Sequence, residues 1–154
     1  MNIRLDDLTG PEIHALLEEH LADMHSQSPP ESVHALDLTR LRQPEISFWT
    51  MWSDDRQLMG CGALKTLNRE HGEIKSMRTA QAFRRVGVGR TMLTHIIDQA
   101  RARGLRRLSL ETGTQPGFEA ARRLYAAHGF EECGPFEGYV LDPNSMFMTR
   151  LLQV

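Results

Sequence analysis

A short strand, a turn rich in arginine and glycine, and a long amphipathic helix follow one another between residues 73 and 104. The turn reads Arg84-Arg85-Val86-Gly87-Val88-Gly89. Because a helix begins with unpaired N–H groups and the positive end of its dipole, an anion binds well at its first turn. Gly87 and Gly89 have no Cβ atom, so the backbone can approach such an anion closely. The stretch therefore predicts a pyrophosphate-binding site at the start of a helix.

Two other phosphate-binding loops do not fit these residues. A nucleotide-binding loop ends in Gly-Lys-Ser/Thr, whereas Gly89 is followed by Arg90 and Thr91. A dinucleotide-binding turn needs a third glycine at the position of Met92. The pattern that remains is Arg-x-x-Gly-x-Gly between a strand and a helix. An arginine-rich turn that only caps its helix is the alternative explanation.

Size and charge narrow the class of protein. A chain of 154 residues predicts one domain, residues 1–154. The formal net charge of −2 at pH 7 argues against general binding to nucleic acid. The sequence shows neither a signal peptide nor an apolar run near the length of a membrane span. We therefore expect a cytoplasmic protein without a membrane partner.

Cysteine and histidine spacings favour neither a disulfide framework nor a metal centre. Cys61 and Cys133 are too few for a framework, and we expect both to be small buried hydrophobic residues. His14, His20 and His25 share a predicted helix, but their spacings of six and five do not place two ligands one turn apart. We therefore predict no metal site.

Apolar periodicity predicts two helices near the N-terminus. The first begins with Thr9 as its N-cap and Pro11 in its first turn, and it ends before Ser28. Its apolar face comprises Ile13, Leu16, Leu17, His20, Leu21 and Met24. A second, short helix is expected within residues 31–42. Its partly buried residues would be Val33, Leu36, Leu38 and Leu41.

The rest of the chain predicts an α/β (α+β) fold. Gly60 and Gly62 lie within one predicted strand and indicate a bulge or a close neighbour. Gly104 and Gly129 are expected to end the last two helices, at residues 87–103 and 118–128. The element order β-α-α-β-β-β-α-β-α-β-β predicts a mixed sheet with helices on both faces. Its strands are expected at residues 2–5, 46–53, 57–67, 73–79, 107–112, 130–133 and 146–152.

A second motif lies in the last predicted helix. Residues 124–130, Leu-Tyr-Ala-Ala-His-Gly-Phe, resemble the Leu-Tyr-x-x-x-Gly-Phe motif that ends the helix after the fifth strand in the GNAT superfamily of N-acetyltransferases. The Arg-x-x-Gly-x-Gly turn resembles the acyl-CoA loop of the same superfamily, and the separation of the two motifs also fits. The resemblance covers roughly residues 46–152. It implies the GNAT fold, with a mostly antiparallel central sheet, and acetyl-CoA as cosubstrate.

The resemblance also implies roles for individual residues. The backbone of Met77 and Thr79 would pair with the pantetheine arm, and the Met77 N–H would face the thioester oxygen. Glu73 stands where histone-type members carry the general base. Tyr125 stands where many members place the acid that protonates the leaving thiolate. The pyrophosphate would be held by the side chain or backbone of Arg84 and by the amides of Arg85, Val86, Gly87, Val88, Gly89 and Arg90.

Acyl transfer to an amine needs groups of these kinds. An ammonium must lose a proton before its nitrogen can attack, and a carboxylate in a partly dry cleft can accept that proton. A fixed backbone donor stabilises the oxyanion that develops, and a phenol can protonate the thiolate. Glu111, at the end of the fifth strand, is the alternative base. Tyr125 could instead be a core aromatic residue.

Two positions depart from the family pattern. Many members carry Asn at the position of Phe118, three residues before Ala121, where its side chain bonds the cofactor arm. Phe118 would pack against the cofactor instead, and Gln115 or backbone groups of residues 112–117 could replace the lost hydrogen bond. Gln81 stands where the family usually has a proline after the fourth strand.

We therefore predict an acetyl-CoA-dependent N-acetyltransferase that acts on a primary amine of a small molecule or peptide by direct attack in a ternary complex. The alternatives are a non-catalytic acyl-CoA-binding or sensing module and a protein N-acetyltransferase. Residues 26–42, residues 136–139 and Arg78 are expected to shape the acceptor site, although Arg78 could instead form a surface salt bridge. These residues do not identify the acceptor. The family also makes a homodimer possible.

Overall fold

The computed structural model describes residues 1–30 and 38–153. Its strands are β1 Asn2–Leu5, β2 Ile46–Trp52, β3 Leu58–Thr66, β4 His71–Thr79, β5 Arg107–Gly113, β6 Glu131–Cys133 and β7 Ser145–Leu151. The described strands form one seven-stranded sheet in the order β1-β2-β3-β4-β5-β7-β6. β4 and β5 run parallel, and every other neighbouring pair is antiparallel.

The helices are α1 Pro11–Gln27, α2 Leu38–Leu41, α3 Val88–Ala102 and α4 Glu119–Ala127. Single 3-10 turns at Gln81–Phe83 and Pro116–Phe118 precede α3 and α4. The predicted element order and the mixed, mostly antiparallel sheet are therefore confirmed. Within residues 1–30 and 38–153, no helix has both the length and the apolar character needed to cross a membrane.

The two faces of the sheet line separate hydrophobic cores, because successive side chains of a strand point to opposite faces. Leu64 of β3 packs beneath α3. Cys61 of the same strand packs on the other face with Ile13 and Leu16 of α1. The buried residues of α3 share one side of this amphipathic helix; they are Val88, Met92, Leu93, Ile96, Ile97 and Ala100.

Two glycines of β3 allow α3 to lie close to the sheet. A Cβ atom at Gly60 would lie 2.7 Å from Val88 Cγ1 and 2.8 Å from the carbonyl oxygen of Arg78. A Cβ atom at Gly62 would lie 2.8 Å from Met92 Cγ, and the register of β3 against β4 shifts at this residue. The close neighbour that these glycines indicated is confirmed, and the extra residue of the bulge lies on β4, opposite Gly62.

β4 and β5 part from each other after three residue pairs. His71 pairs with Arg107 and Glu73 with Ser109, but no residue of β4 beyond Glu73 pairs with β5. At the bulge opposite β3, Ser76 has a left-handed φ of 56°. Because a bulge bends its strand, β4 turns away from β5 and a cleft opens in the middle of the sheet.

The start of α1 differs from the prediction. The residue that precedes the helix is Gly10, and no described side chain caps it. Thr9 is not the cap because its hydroxyl donates to the Asp7 carboxylate at 2.6 Å. Pro11 still occupies the first turn, where its fixed φ suits a helix. Leu21 is 40 % exposed, since the sheet covers only part of the predicted apolar face.

The predicted second helix is only partly described. Leu38 and Leu41 lie in α2; Leu38 is partly buried as expected, and Leu41 is fully buried. Val33 and Leu36 lie outside the described residues.

The close packing of α3 on β3 predicts that Gly60→Ala is destabilising. The new methyl group would meet a backbone carbonyl and the β-branched side chain of Val88, neither of which moves easily. We expect the free energy of unfolding to fall by about 1–3 kcal/mol. Gly138→Ala is the matched control, because a Cβ atom there would have no neighbour within 4 Å. Urea denaturation of both variants measures the difference, and equal stabilities would contradict the packing argument.

Candidate active site

The first turn of α3 forms an open surface suited to an anion. Arg85 and Gly87 both have left-handed backbones, with φ values of 68° and 87°. Such turns direct successive N–H groups towards one point. Gly87 immediately precedes the helix, whose first N–H groups have no intrahelical acceptor. A surface depression at this turn is lined by Arg85, Val86, Gly87, Arg90 and Thr91.

The other members of the predicted pyrophosphate site divide between this surface and the core. Arg84 is exposed beside the depression. The side chain of Val88 is 2 % exposed and belongs to the core, so only its backbone N–H is available to a ligand. A Cβ atom at Gly89 would lie 3.2 Å from Leu124 Cδ2, which shows how closely α3 approaches α4. The first turn of α3 is thus packed against the core on one side and open to solvent on the other.

The cleft side of β4 offers unpaired backbone groups. The N–H of Ala80 donates to the carbonyl oxygen of Met59 at 2.8 Å, so this peptide group faces β3. Peptide groups alternate in direction along a strand. Those of Thr79 and Met77 therefore face the cleft that β5 has left. An extended ligand could add to this edge as a further strand, which fits the backbone role predicted for both residues.

A cavity of about 100 Å³ lies where β4 and β5 part. Residues of α1, α4 and the segment between β6 and β7 close its sides. Glu73, Met77 and Tyr125, the three residues predicted to be catalytic, all line this cavity. The alternative base Glu111 and the aromatic ring of Phe118 line it as well. The fold therefore brings together residues that lie far apart in the sequence.

Glu73 is the centre of a buried polar network. Its side chain is 4 % exposed and that of Lys75 is 9 % exposed. Lys75 Nζ donates to Glu73 Oε2 at 3.0 Å, and the Tyr139 hydroxyl donates to the same oxygen at 2.6 Å. Lys75 also donates to the Tyr139 oxygen at 3.1 Å. Glu73 is therefore ion-paired within the protein. Its position at the start of a predicted strand did not indicate this ion pair.

Glu111 has a different environment on the other side of the cleft. Burial raises the pKa of its carboxyl group to about 7, and the nearby Glu73 and Asp142 act in the same direction. Lys75 acts in the opposite direction. A carboxyl group with this pKa is partly ionised at neutral pH and can exchange a proton there. Glu111, the alternative base, thus has a pKa suited to proton transfer near neutral pH.

Tyr125 reaches the cavity from α4. It is 7 % exposed, and its ring packs against Phe130 with the centroids 6.0 Å apart. Burial raises the pKa of its phenol, and Glu111 adds to this effect. Tyr125 therefore stays protonated at neutral pH. It is both a core aromatic residue and a lining residue of the cavity, so the two readings of this residue are compatible.

The structure decides between the two roles considered for Arg78, and it adds His20 to the cavity lining. Arg78 does not line the cavity but donates to Glu19 and Asp23, which ties α1 to β4. The salt-bridge reading of Arg78 is therefore the one that the structure shows. His20, predicted only as part of an apolar face, lines the cavity. Burial lowers its pKa to about 4, and Arg78 acts in the same direction, so the ring is neutral at neutral pH.

The region around Phe118 is held by polar contacts. Arg122 Nη1 donates to the carbonyl oxygens of Gly113 and Gln115 at 2.8 and 3.0 Å. The Gln115 amide donates to Asn144 at 2.8 Å, while its Oε1 is buried without a hydrogen-bond partner among the described residues. Gln115 is thus partly engaged within the protein, and its replacement of the family Asn stays a prediction.

Sequence reasoning missed Lys75, and it named residues 136–139 only as a possible wall of the acceptor site. The position of Lys75, two residues after Glu73 in a strand, was the available signal, because such residues share one face. No local signal places Tyr139 on Glu73, since 66 residues separate them. Their contact depends on the path of the chain between β6 and β7.

The cysteines and histidines form no additional centre in the part of the chain that the structure describes. Cys61 is buried, and burial raises its pKa to about 12, so the thiol is not reactive at neutral pH. Cys133 is half-buried. Among residues 1–30 and 38–153, no group of three or more potential ligands is arranged to hold a metal ion.

Comparison with known proteins identifies a matching family model and two relatives of nearly the same length. The model of the acetyltransferase (GNAT) family matches residues 13–130. The chain is 55 % identical over 152 residues to the Bacillus subtilis protein named uncharacterized N-acetyltransferase YsnE, covering 99 % of this chain and 100 % of that protein. It is 53 % identical over 150 residues to the Escherichia coli protein named uncharacterized N-acetyltransferase YedL, with 97 % and 94 % covered.

A solved structure shows the same fold. It is a GNAT family acetyltransferase from Elizabethkingia anophelis with acetyl-CoA bound, and its TM-score is 0.71 at 18 % sequence identity. The alignment covers 98 % of this chain and 97 % of the other. From the matching family model and the two full-length relatives it follows that this chain belongs to the GNAT family of acetyltransferases.

Proposed function

We propose that the protein is an acetyl-CoA-dependent N-acetyltransferase that acetylates a primary amine of a small molecule or a peptide, with residues 1–154 working as one catalytic domain. The observation that supports this most directly is the content of the cleft. Its cavity contains two carboxylates with different environments and a protonated phenol, and the open edge of β4 leads from that cavity towards the turn before α3.

The residues of the cleft fit the parts of acetyl-CoA. The first turn of α3 offers N–H groups and the side chains of Arg85 and Arg90 to the pyrophosphate. The backbone of Met77 and Thr79 suits the amides of the pantetheine arm. The Elizabethkingia protein of the same fold has acetyl-CoA bound, which supports the choice of cosubstrate. When bound, acetyl-CoA would supply an activated acetyl group in the cavity.

The proton transfers can be assigned to two residues. Glu111 accepts one proton from the acceptor ammonium, which leaves a neutral amine to attack the thioester carbon. The N–H of Met77 stabilises the negative charge that develops on the carbonyl oxygen. As the carbon–sulfur bond breaks, Tyr125 donates its proton to the sulfur. It recovers a proton from the new amide nitrogen, directly or through water, so the products are the amide, free CoA and a protonated Glu111.

The pyrophosphate site can be tested with a pair of isosteric variants. Gly87 has a left-handed backbone that Asn and Asp adopt more readily than other residues. Gly87→Asp adds a negative charge to the anion-binding turn, whereas Gly87→Asn adds only a similar volume. We expect isothermal titration to show about tenfold or more weaker acetyl-CoA binding for Gly87→Asp than for Gly87→Asn. Equal affinities would place the pyrophosphate elsewhere, and a wild-type protein that binds no acetyl-CoA at millimolar concentration would refute the proposed function.

The acid role of Tyr125 predicts a specific kinetic effect of Tyr125→Phe. The ring and its contact with Phe130 remain, so acetyl-CoA affinity should be nearly unchanged. Loss of the proton donor should lower kcat by roughly 10²–10⁴-fold. CoA release with the best amine from a library of primary amines provides the assay. Normal turnover of the variant would mean that Tyr125 is only structural.

The base role of Glu111 predicts a pH dependence. The base works in its ionised form, which becomes the major form as pH rises through about 7, so kcat/KM should rise with pH and level off above it. Glu111→Gln should remove this rising limb of the pH profile, and it should lower kcat by roughly 10²–10⁴-fold. Glu73→Gln should keep the limb.

Acceptor amines of different basicity provide the control for this pH profile. A limb that belongs to the enzyme stays in place when the acceptor changes, whereas a limb caused by the acceptor follows the pKa of the amine. If Glu73→Gln removes the limb and Glu111→Gln keeps it, then Glu73 is the base.

A further inference from the structure

Lys75 and Tyr139, which belong to neither sequence motif, meet Glu73 inside the cavity. Lys75 follows Glu73 by two residues on β4, so both side chains leave the same face of the strand. Tyr139 arrives from the segment between β6 and β7. The three groups form a closed triangle of hydrogen bonds with distances of 2.6, 3.0 and 3.1 Å.

Both bonds to Glu73 end on one oxygen. Lys75 Nζ and the Tyr139 hydroxyl each donate to Oε2. Among the described residues, no donor reaches Oε1, although Glu73 lines the cavity. The carboxylate is therefore fixed through one oxygen and leaves the other for a ligand. A carboxylate oxygen without a donor suits a ligand that brings its own N–H groups.

The same contacts engage Glu73 as the counter-ion of Lys75. Separation of this pair would leave the nearly buried ammonium of Lys75 without its counter-charge, and an unpaired charge is costly inside a protein. Glu111 forms no ion pair with a described residue and exchanges its proton near neutrality. The two carboxylates thus differ in what they can do, because only one of them is neutralised by a cation.

On the basis of the function proposed above, we propose that Lys75 and Tyr139 are positioning residues that hold Glu73 as a fixed anion with Oε1 towards the acceptor ammonium. Glu73 then binds the acceptor, and Glu111 takes its proton. This assigns the recognition of a cationic primary amine to Glu73. It also assigns to Lys75 a second role, which is to keep the two carboxylates from sharing a proton.

The groups that face the two carboxylates come from every element around the cavity. Lys75 lowers the pKa of Glu111, whereas Glu73 and Asp142 raise it. The neutral His20 and the protonated Tyr125 add no net charge at neutral pH. Two further titratable groups among the described residues face them: His71 of β4, whose pKa is lowered by burial, and the Tyr139 phenol, whose pKa is raised by burial. Lys75 is therefore the cation that sets the charge balance between the carboxylates.

The first experiment measures the titration of Glu111 without any acceptor. In full-length protein labelled with [δ-¹³C]glutamate, the Glu111 carboxyl signal should titrate near pH 7. Lys75→Met should move this midpoint upward by about one pH unit, because a nearby positive charge is lost. Lys75→Arg keeps the charge and should keep the midpoint. A midpoint that is the same in Lys75→Met and wild type would overturn the role of Lys75.

The second experiment tests Tyr139 with n-butylammonium chloride as the probe. Tyr139→Phe should fold normally, since the ring keeps its contacts with Phe136 and Phe147, at centroid distances of 5.1 and 5.5 Å. In the wild type, n-butylammonium should shift the Glu73 carboxyl signal, which is assigned by its loss in Glu73→Gln. 1-Butanol has no charge and should not shift it. The apparent affinity for n-butylammonium should fall about three- to tenfold in Tyr139→Phe.

Equal affinities of wild type and Tyr139→Phe, or no response of Glu73 in the wild type, would overturn the proposal. Neither experiment requires acetyl transfer. Failure of the proposed function would show itself as absent acetyl-CoA binding, and failure of this inference as unchanged carboxyl signals, so the two are distinguishable.

Discussion

The parting of β4 and β5 is the feature on which the site depends. Three residue pairs hold the strands together as far as Glu73 and Ser109, and beyond them the edge of β4 has no neighbour in β5. Backbone N–H and C=O groups inside a protein need partners. A ligand with amide groups along its length can supply them. The interrupted pairing therefore creates both a cavity and an edge that an extended cosubstrate can complete.

The electrostatic environment differs between the parts of this cleft. Positive potential is concentrated at the start of α3, where helix N–H groups and arginines are exposed. Within the cavity, Lys75 neutralises Glu73, while burial raises the pKa of Glu111 to about 7. Two carboxylates in one site can perform different tasks only if their environments differ. Here Glu73 is ion-paired with Lys75, whereas Glu111 is buried without an ion pair to a described residue.

Local sequence signals located most of the helices and strands. The apolar spacing of α3 matched its buried face, and Gly104 and Gly129 adopt the left-handed conformation expected after their helices. The Arg-x-x-Gly-x-Gly turn lies open before α3, as its residues indicated. The cap of α1 was predicted wrongly, because Asp7 competes for the Thr9 hydroxyl. Of the two roles considered for Arg78, Glu19 and Asp23 select the salt bridge.

The amino-acid sequence by itself determined the order of the elements, the exposed arginine and glycine turn, and the membership of a family, because these follow from residue spacing over short distances. Only the tertiary structure decided that Tyr139 bonds Glu73, that His20 lines the cavity, and that Glu111 titrates near neutrality. These properties depend on contacts between distant segments and on removal from water. Neither the long-range contacts nor the burial of a side chain can be inferred from the few residues beside it in the sequence.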